Sequence, residues 1–290
     1  MDLLAFTQPG ILYPLTLVLG LLVGSFLNVV VYRLPRMLEH RWRSECAELL
    51  GAPPPHGAGE SLNLARPSSH CPHCGHRIRP WENIPVLSYL LLRGRCSACG
   101  AAIGLRYPLT EILSGAVGLI VIWRLGPTWQ GAAALLLSWA LISLSLIDYD
   151  TKLLPDLITL PLLWLGLLLS LGSLFTDPIS AIIGATAGYL SLWTVYQLFK
   201  LLTGKEGMGY GDFKLLALLG AWLGWQQLPQ IIVLSALVGT LVGVLLIALR
   251  GRDRSIPIPF GPYLATAGWL TLLWGHDITH RYFTLLGVPN

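Results

Sequence analysis

The stretch ILYPLTLVLGLLVGSFLNVVVY at residues 11–32 contains 22 residues and no charged side chain. A helix of about 20 apolar residues crosses a hydrocarbon core of about 30 Å, so this stretch predicts a membrane span. It is too long for the apolar core of a signal peptide, and no Lys or Arg precedes it, since Asp2 is the only charge before Arg33. We therefore expect it to remain in the protein as its first transmembrane helix.

Seven further apolar runs follow, and the composition agrees with them. Hydrophobic residues make up 54% of the 290 residues and charged residues only 12%, against about 25% charged in an ordinary soluble domain. The sequence therefore predicts an all-α polytopic membrane protein with about eight transmembrane helices. The sixth is short, because Phe213–Trp225 covers only about 20 Å as a helix, so we expect it to tilt or to extend through Gln226 and Gln227. The predicted spans are residues 11–32, 107–123, 128–147, 153–174, 178–199, 213–228, 230–249 and 260–275.

The distribution of positive charge predicts the orientation of these spans. With the N-terminus outside and eight alternating helices, only Arg124 and Arg281 of the 19 Lys and Arg residues fall on the outer side, which leaves 17 inside. Because Lys and Arg are retained on the cytoplasmic face, both termini should face the periplasm or exterior. The basic residues are spread over four loops as topology determinants, so we expect a lipid bilayer as partner and no nucleic acid.

The segment 33–106 is the only long polar stretch, and we expect it to form a cytoplasmic loop domain between the first span, 1–32, and a membrane domain, 107–290. Its part 51–69 is rich in Pro, Gly and Ser and predicts an irregular linker. Two C-x-x-C pairs follow with 21 residues between them, a spacing typical of a zinc site with four thiolates. Four thiolates satisfy Zn²⁺ completely, so the metal should be structural. The predicted ligands are Cys71, Cys74, Cys96 and Cys99, and each pair is followed by a glycine, Gly75 or Gly100.

Other arrangements of these cysteines stay open at this point. Two disulfides are the main alternative, but disulfides do not persist in the reducing cytoplasm. His73 or His76 could replace one thiolate. Cys46 is unpaired and is interpreted as a bystander.

Acidic residues near membrane spans are costly and are therefore functional candidates. Asp148 follows an apolar run directly, and Asp212 opens the sixth span. Alternating topology puts both at the same cytoplasmic depth, where two neighbouring carboxylates would share a proton and titrate as a unit. Such a pair can activate water and polarise a scissile carbonyl, as in aspartic proteases. The alternative is that Asp212 merely caps its helix, while Glu111, Asp150 and Asp156 are further acids near spans.

Glycines precede Asp212 in GMGYGD, at positions 207, 209 and 211. We expect the backbone there to bend sharply and to let another chain come close. Lys214, two residues after Asp212, could lower the pKa of that acid or bind a lipid phosphate.

The chain closely resembles the type IV prepilin leader peptidases of Gram-negative bacteria over essentially its whole length. In that family the first aspartate of an ID-x5-LPD motif and the aspartate of a G-x-G-D motif form the catalytic pair, which match Asp148 and Gly209–Asp212, with Gly209, Gly211 and Lys214 as supporting residues. The resemblance rests on the C-x-x-C pairs and on LLVGSFLNVVVYRLP at 21–35, RPWENIPVLSYLLLRGRC at 79–96, SLIDYDTKLLPD at 145–156, GMGYGDFKLLALLGAWLGW at 207–225 and IPIPFGPYLA at 256–265.

The resemblance implies a multi-pass inner-membrane enzyme with two activities. It would cleave the leader of prepilins and pseudopilins after a glycine on the cytoplasmic side, within an aspartic peptidase domain at 107–290. It would then methylate the new N-terminal residue with S-adenosylmethionine, through the zinc loop at 33–106 and residues including Glu82, Asn83 and Gly94. Ordinary loop capping is the alternative for Glu82 and Asn83, and Gly94 could simply shape the turn before Cys96. Two other functions remain open from the residues alone: a proton-coupled transporter and a non-catalytic scaffold that docks partners through the zinc loop.

Overall fold

The protein is described here by a computed structural model, in which residues 8–53, 63–250 and 259–285 are defined. Across these residues the chain is almost entirely helical, and strand-like pairing is limited to two isolated β-bridges. Two short 3-10 helices, Pro80–Asn83 and Trp225–Gln227, accompany the α-helices. The α-helices within the defined ranges are α1 (Pro9–Leu49), α2 (Leu87–Leu91), α3 (Arg106–Leu125), α4 (Trp129–Thr151), α5 (Asp156–Ser170), α6 (Pro178–Thr203), α7 (Tyr210–Leu223), α8 (Leu228–Arg250) and α9 (Gly261–Leu285).

Each of the eight predicted apolar runs coincides with one of these helices, so the prediction of an all-α fold is confirmed. Five helical segments in the defined ranges are long and apolar enough to cross a bilayer, which agrees with a membrane protein. The helix α5 is apolar but has only 15 residues. The number of eight spans therefore stays a prediction.

The helix α1 is longer than the sequence predicted. The first span was expected to end at residue 32, but the helix continues to Leu49, for 41 residues in all. Its last part is polar, and pairs of opposite charge one turn apart, Arg41 with Glu45 and Glu39 with Arg43, support helix there. The linker predicted after it has no regular element at 51–53 or 63–69, and residues 54–62 of that prediction lie outside the defined ranges.

The chain divides into two compact units, Met1–Pro127 and Thr128–Asn290. In the first unit α1 packs along α3, and the side-chain amide of Asn28 donates to the carbonyl of Tyr107 at 3.1 Å. The predicted division at residues 32 and 106 stays a prediction.

The helix α7 forms the core of the second unit. Residues 212–222 are buried except Lys214, because α5, α6 and α9 pack around α7. A helix that is apolar on all sides is typical of such a buried position. The helix ends at Leu223 and does not continue through Gln226 and Gln227, which belong to a 3-10 helix instead.

Candidate active site and metal centre

Asp148 lies in the last turn of α4. That helix ends at Thr151, where Lys152 adopts a left-handed conformation and its N–H bonds to the carbonyl of Asp148. The side chain is buried, with 6% of the residue exposed. Its Oδ2 accepts a hydrogen bond of 3.0 Å from the backbone N–H of Gly261, the first residue of α9.

Asp212 is the third residue of α7 and is also buried, with 8% exposed. Gly211, which precedes Asp212, packs against Leu154 in the turn that follows α4. The negative charge of Asp148 acts on Asp212. The two carboxylates therefore lie within electrostatic range of each other. The packing of the second unit thus brings the two acids together. From the alternation of the spans, both were expected at the same depth. A buried pair of carboxylates favours sharing one proton, which is the state that acid-base chemistry on a peptide bond requires.

The glycine-rich segment before Asp212 bends without any left-handed glycine. Gly207, Gly209 and Gly211 do not have positive φ, and Gly209 is extended with φ −82° and ψ 146°. The bend lies at Met208, just before the start of α7. Close approach is the observed feature, since a Cβ on Gly211 would lie 2.8 Å from the Cβ of Leu154.

Lys214 forms an ion pair with a residue that was not predicted as its partner. Its Nζ lies 2.7 and 2.8 Å from the two carboxylate oxygens of Asp156, so the ion pair ties α7 to the first turn of α5. Asp156 is the first residue of α5, and there it pairs with Lys214. Asp150 is exposed in the last turn of α4, in contrast to Asp148.

The four predicted metal ligands come together in the first unit. Their Sγ atoms all lie within 4.8 Å of one another. Cys71 and Cys99 are 3.9 Å apart and Cys74 and Cys96 4.0 Å apart, sulfur to sulfur. A disulfide would require about 2.05 Å, whereas the edge of a tetrahedron with Zn–S bonds of about 2.3 Å is about 3.8 Å. The sulfur positions therefore fit a tetrahedral metal and do not fit disulfides.

The two halves of this site repeat the same backbone pattern. In the first, the N–H of Gly75 bonds to the carbonyl of Cys71, and the N–H of Cys71 to that of His76. In the second, Gly100 bonds to Cys96 in the same way. Both glycines have φ of +72°, a conformation that favours glycine, so each forms a tight turn after its cysteine pair.

These turns also prepare the sulfurs for a metal. Hydrogen bonds from the backbone N–H groups of Cys74 and His73 lower the pKa of the Cys71 thiol to about 7. The N–H groups of Cys99 and Ala98 lower the pKa of the Cys96 thiol in the same manner. Since metals bind the thiolate, the turns favour the ligating form at Cys71 and Cys96. Burial and the neighbouring sulfurs act in the opposite direction on Cys74 and raise the pKa of its thiol to about 12.

Glu82 joins the two halves of the metal site. Its carboxylate accepts from the backbone N–H of Arg79 at 2.9 Å and from the hydroxyl of Ser97, between the second pair of cysteines, at 2.7 Å. It also lies 3.1 Å from Nε2 of His76, which follows the first pair. The Arg79 N–H, then the Ser97 hydroxyl and His76, lower the pKa of Glu82 to about 2. His76 is thus held by Glu82 outside the cluster of four sulfurs.

The other two residues predicted for methyl transfer have simpler surroundings. Asn83 ends the 3-10 helix and is exposed. Gly94 has φ of +67°, and a Cβ there would lie 2.8 Å from the hydroxyl oxygen of Tyr89. Its role in shaping the turn before Cys96 accounts for a glycine at this position.

Glu111 is buried in α3 and holds an unusual turn. Its Oε2 accepts the N–H of Val86 at 2.7 Å. Val86 has φ +59° and ψ −47°, and the N–H of Leu87 bonds to the carbonyl of Pro85 across it, so the three residues form a strained γ-turn. A β-branched residue rarely adopts this conformation, and the carboxylate of Glu111 stabilises it.

Family models match most of the chain in two parts. The Bacterial Peptidase A24 N-terminal domain matches residues 18–125, and the Type IV leader peptidase family matches residues 135–244. The first match lies within the unit with the four cysteines, and the second contains both buried aspartates. No solved structure matches the chain.

Relatives named prepilin leader peptidase/N-methyltransferase are similar over nearly the whole length. The protein of Pseudomonas aeruginosa is 59% identical over 94% of this chain and 93% of its own length. That of Aeromonas hydrophila is 55% identical over 97% of both, and that of Xanthomonas campestris is 48% identical over 97% and 98%. The chain therefore belongs to the type IV leader peptidase family, in its group of prepilin leader peptidase/N-methyltransferase enzymes.

Proposed function

We propose that Asp148 and Asp212 form the catalytic pair that cleaves the leader from prepilins and pseudopilins, after a glycine and at the cytoplasmic membrane face. The observation that carries this proposal is the placement of two buried carboxylates within electrostatic range of each other at the ends of α4 and α7. Both lie within the segment that matches the peptidase family. The names of the relatives supply the substrate class.

The pair would act with one proton between the two carboxyl groups. The ionised carboxylate takes a proton from water as the water oxygen bonds to the scissile carbonyl carbon. The protonated carboxyl gives its proton to the carbonyl oxygen, which produces a gem-diol. On collapse, the proton taken from water passes to the leaving nitrogen as the C–N bond breaks, and a diol hydroxyl returns a proton to the second carboxylate.

The zinc site has a structural role in this proposal. Cys71, Cys74, Cys96 and Cys99 would hold one Zn²⁺ as four thiolates, and the ion supplies a crosslink between the two turns. Four protein ligands leave no position for water on the metal. Zinc would therefore take no part in the chemistry of cleavage.

Methyl transfer to the new N-terminal residue, with S-adenosylmethionine as donor, is the second proposed activity. Its support is the N-methyltransferase in the names of the relatives. The observed contacts of Glu82 and Gly94 lie within the metal loop. The predicted association of Glu82, Asn83 and Gly94 with methyl transfer stays a prediction.

The proposed location is the bacterial inner membrane, with the zinc loop in the cytoplasm and both termini in the periplasm. The bias of Lys and Arg towards one side supports this orientation. Leader removal would then occur before the pilin leaves the membrane.

Incubation of the detergent-purified protein with a prepilin tests the function. Mass spectrometry should find loss of the leader without any added cofactor, and addition of one methyl group only when S-adenosylmethionine is present. An unchanged prepilin under conditions where the protein stays folded would contradict the proposal, and proton-coupled transport would then become the leading alternative for the two acids.

A further inference from the structure

The start of α9 contacts the candidate catalytic Asp148 through the backbone of Gly261. The amide N of Gly261 lies 3.0 Å from Oδ2 of Asp148, and both groups are buried. The two residues are 113 positions apart in the chain. Within the defined part of the chain, this is the hydrogen bond that orients the carboxylate. Oδ1 and the second lone pair of Oδ2 remain for other partners.

The contact is close enough to exclude a side chain at position 261. A Cβ there would lie 2.7 Å from Oδ2 of Asp148 and 3.1 Å from its Cγ. Real Cβ atoms do not approach other atoms to 2.7 Å, so one of the two groups would have to move. Gly261 belongs to the backbone of a helix start, whereas the carboxyl group is the end of a side chain. The carboxyl group is therefore the part that would shift.

We propose that Gly261 is a positioning residue of the peptidase site: its N–H orients the carboxylate of Asp148, and its missing side chain makes room for that carboxylate. The inference rests on the proposed function of Asp148. It assigns a role to Gly261, which lies in the segment IPIPFGPYLA that carries part of the family resemblance. The residue acts through Asp148 and does not itself exchange protons.

The electrostatics of the contact favour the charged form of the acid. An N–H that donates to a carboxylate stabilises its anion, and the N-terminus of a helix such as α9 adds a partial positive charge. One further charged group, Lys152, which follows α4, acts on Asp148, and the negative charge of Asp148 acts on Asp212 on α7. Because the two acids titrate as a unit, a weaker hydrogen bond from Gly261 makes the single negative charge of the pair harder to form.

The test compares Gly261→Ala with the wild type and with Gly172→Ala as a matched control. A Cβ on Gly172 would lie 3.7 Å from its nearest neighbour, an ordinary contact. For Gly261→Ala we expect kcat for leader cleavage to fall about 10- to 100-fold, because a misplacement of about 1 Å at a catalytic group costs this much. KM should change little. The acid limb of the pH profile should move to higher pH, which a purely structural defect would not cause.

A second measurement keeps the inference testable if Gly261→Ala folds poorly. The double variant Asp148→Ala/Gly261→Ala removes the carboxyl group that the new Cβ would meet. Its melting temperature in detergent should therefore return to that of Asp148→Ala alone. Equal losses of melting temperature in the presence and absence of the Asp148 carboxyl group would overturn the inference.

The outcomes separate this inference from the proposed function. Wild-type kcat and pH profile in Gly261→Ala, with no cleavage by Asp148→Asn, would overturn the positioning role alone. Full cleavage by Asp148→Asn would overturn the proposed function as well. Loss of activity in Gly172→Ala to the same extent would mean that the effect of alanine at 261 is not specific.

Discussion

Leu154 lies directly on Gly211, so that a Cβ added to the glycine would be 2.8 Å from the Cβ of the leucine. Leu154 belongs to the turn between α4 and α5, six residues after Asp148, and Gly211 precedes Asp212. This contact joins the two sequence motifs that carry the acidic pair. Packing of this turn on the start of α7 therefore contributes to the placement of Asp212 relative to Asp148.

Gly211→Ala should therefore impair leader cleavage. The new methyl group would lie too close to the Cβ of Leu154 and would push the start of α7, with Asp212, away from α4. We expect cleavage to fall at least about 10-fold, equivalent to about 1.4 kcal/mol in the barrier. Rates with a purified prepilin measure this, and Gly172→Ala is the control. An unaffected rate would mean that the contact does not set the position of Asp212.

Cys71→Ser should abolish zinc binding. The substitution leaves three thiolates and a hydroxyl, a much poorer ligand for zinc. Zinc per protein, measured by elemental analysis, should fall from about one to near zero. Cys46→Ser is the matched control, because Cys46 is exposed on α1 and lies outside the cluster. Unchanged zinc in Cys71→Ser would show that the ligand set is wrong.

Glu82→Ala should weaken zinc retention without removing a ligand. The carboxylate links Ser97 and His76, and its loss frees the two turns to move apart. Outer contacts of this kind typically change metal affinity about 10- to 100-fold, so competition with a chelator should extract zinc sooner. Asn83→Ala, at an exposed neighbour, should behave as the wild type. If Glu82→Ala instead loses methyl transfer and keeps zinc affinity, Glu82 acts in the transfer.

Glu111→Ala should destabilise the first unit. The buried N–H of Val86 would lose its acceptor, at a cost of about 1–3 kcal/mol, and the strained turn would lose its support. The melting temperature in detergent should fall by a few degrees. Glu111→Gln retains a carbonyl oxygen and should lie closer to the wild type. Equal melting temperatures for Glu111→Ala and the wild type would contradict this role.

The positions of the helices could be predicted from the sequence because each span is a long apolar run. The end of α1 could not be predicted in this way, because residues 33–49 are polar. In that part the helix is supported by pairs of opposite charge one turn apart. The brevity of α7 was visible from the sequence, but its burial on all sides depends on which helices surround it. The local sequence pattern therefore predicts where the helices lie, whereas the packing between helices decides how buried each one is.

The candidate site divides in the same way. Asp148, Asp212 and the four cysteines are predictable because carboxylates near membrane spans and paired cysteines are unusual and chemically specific. Gly261 contributes only a backbone N–H and a missing side chain, so no pattern of residue types marks it. The segment IPIPFGPYLA contributed to the family resemblance. The contact of its Gly261 with Asp148 is seen only in the fold, where the start of α9 lies at the end of α4.

Lys214 shows the limit of reading charge along a helix. Its position two residues after Asp212 suggested an interaction with that acid or with lipid. In the fold its ammonium group lies on the carboxylate of Asp156, 58 residues away in the chain. Near neighbours in sequence on a helix need not face each other.

The most direct test of the acidic pair is leader cleavage by Asp148→Asn and Asp212→Asn, with Asp150→Asn as the matched control. We expect either of the first two substitutions to abolish cleavage while the protein remains folded and retains zinc. Asp150 is exposed, and its substitution should leave cleavage close to that of the wild type. Full cleavage by Asp148→Asn or Asp212→Asn, or loss of cleavage only in Asp150→Asn, would contradict the assignment of Asp148 and Asp212 as the catalytic pair.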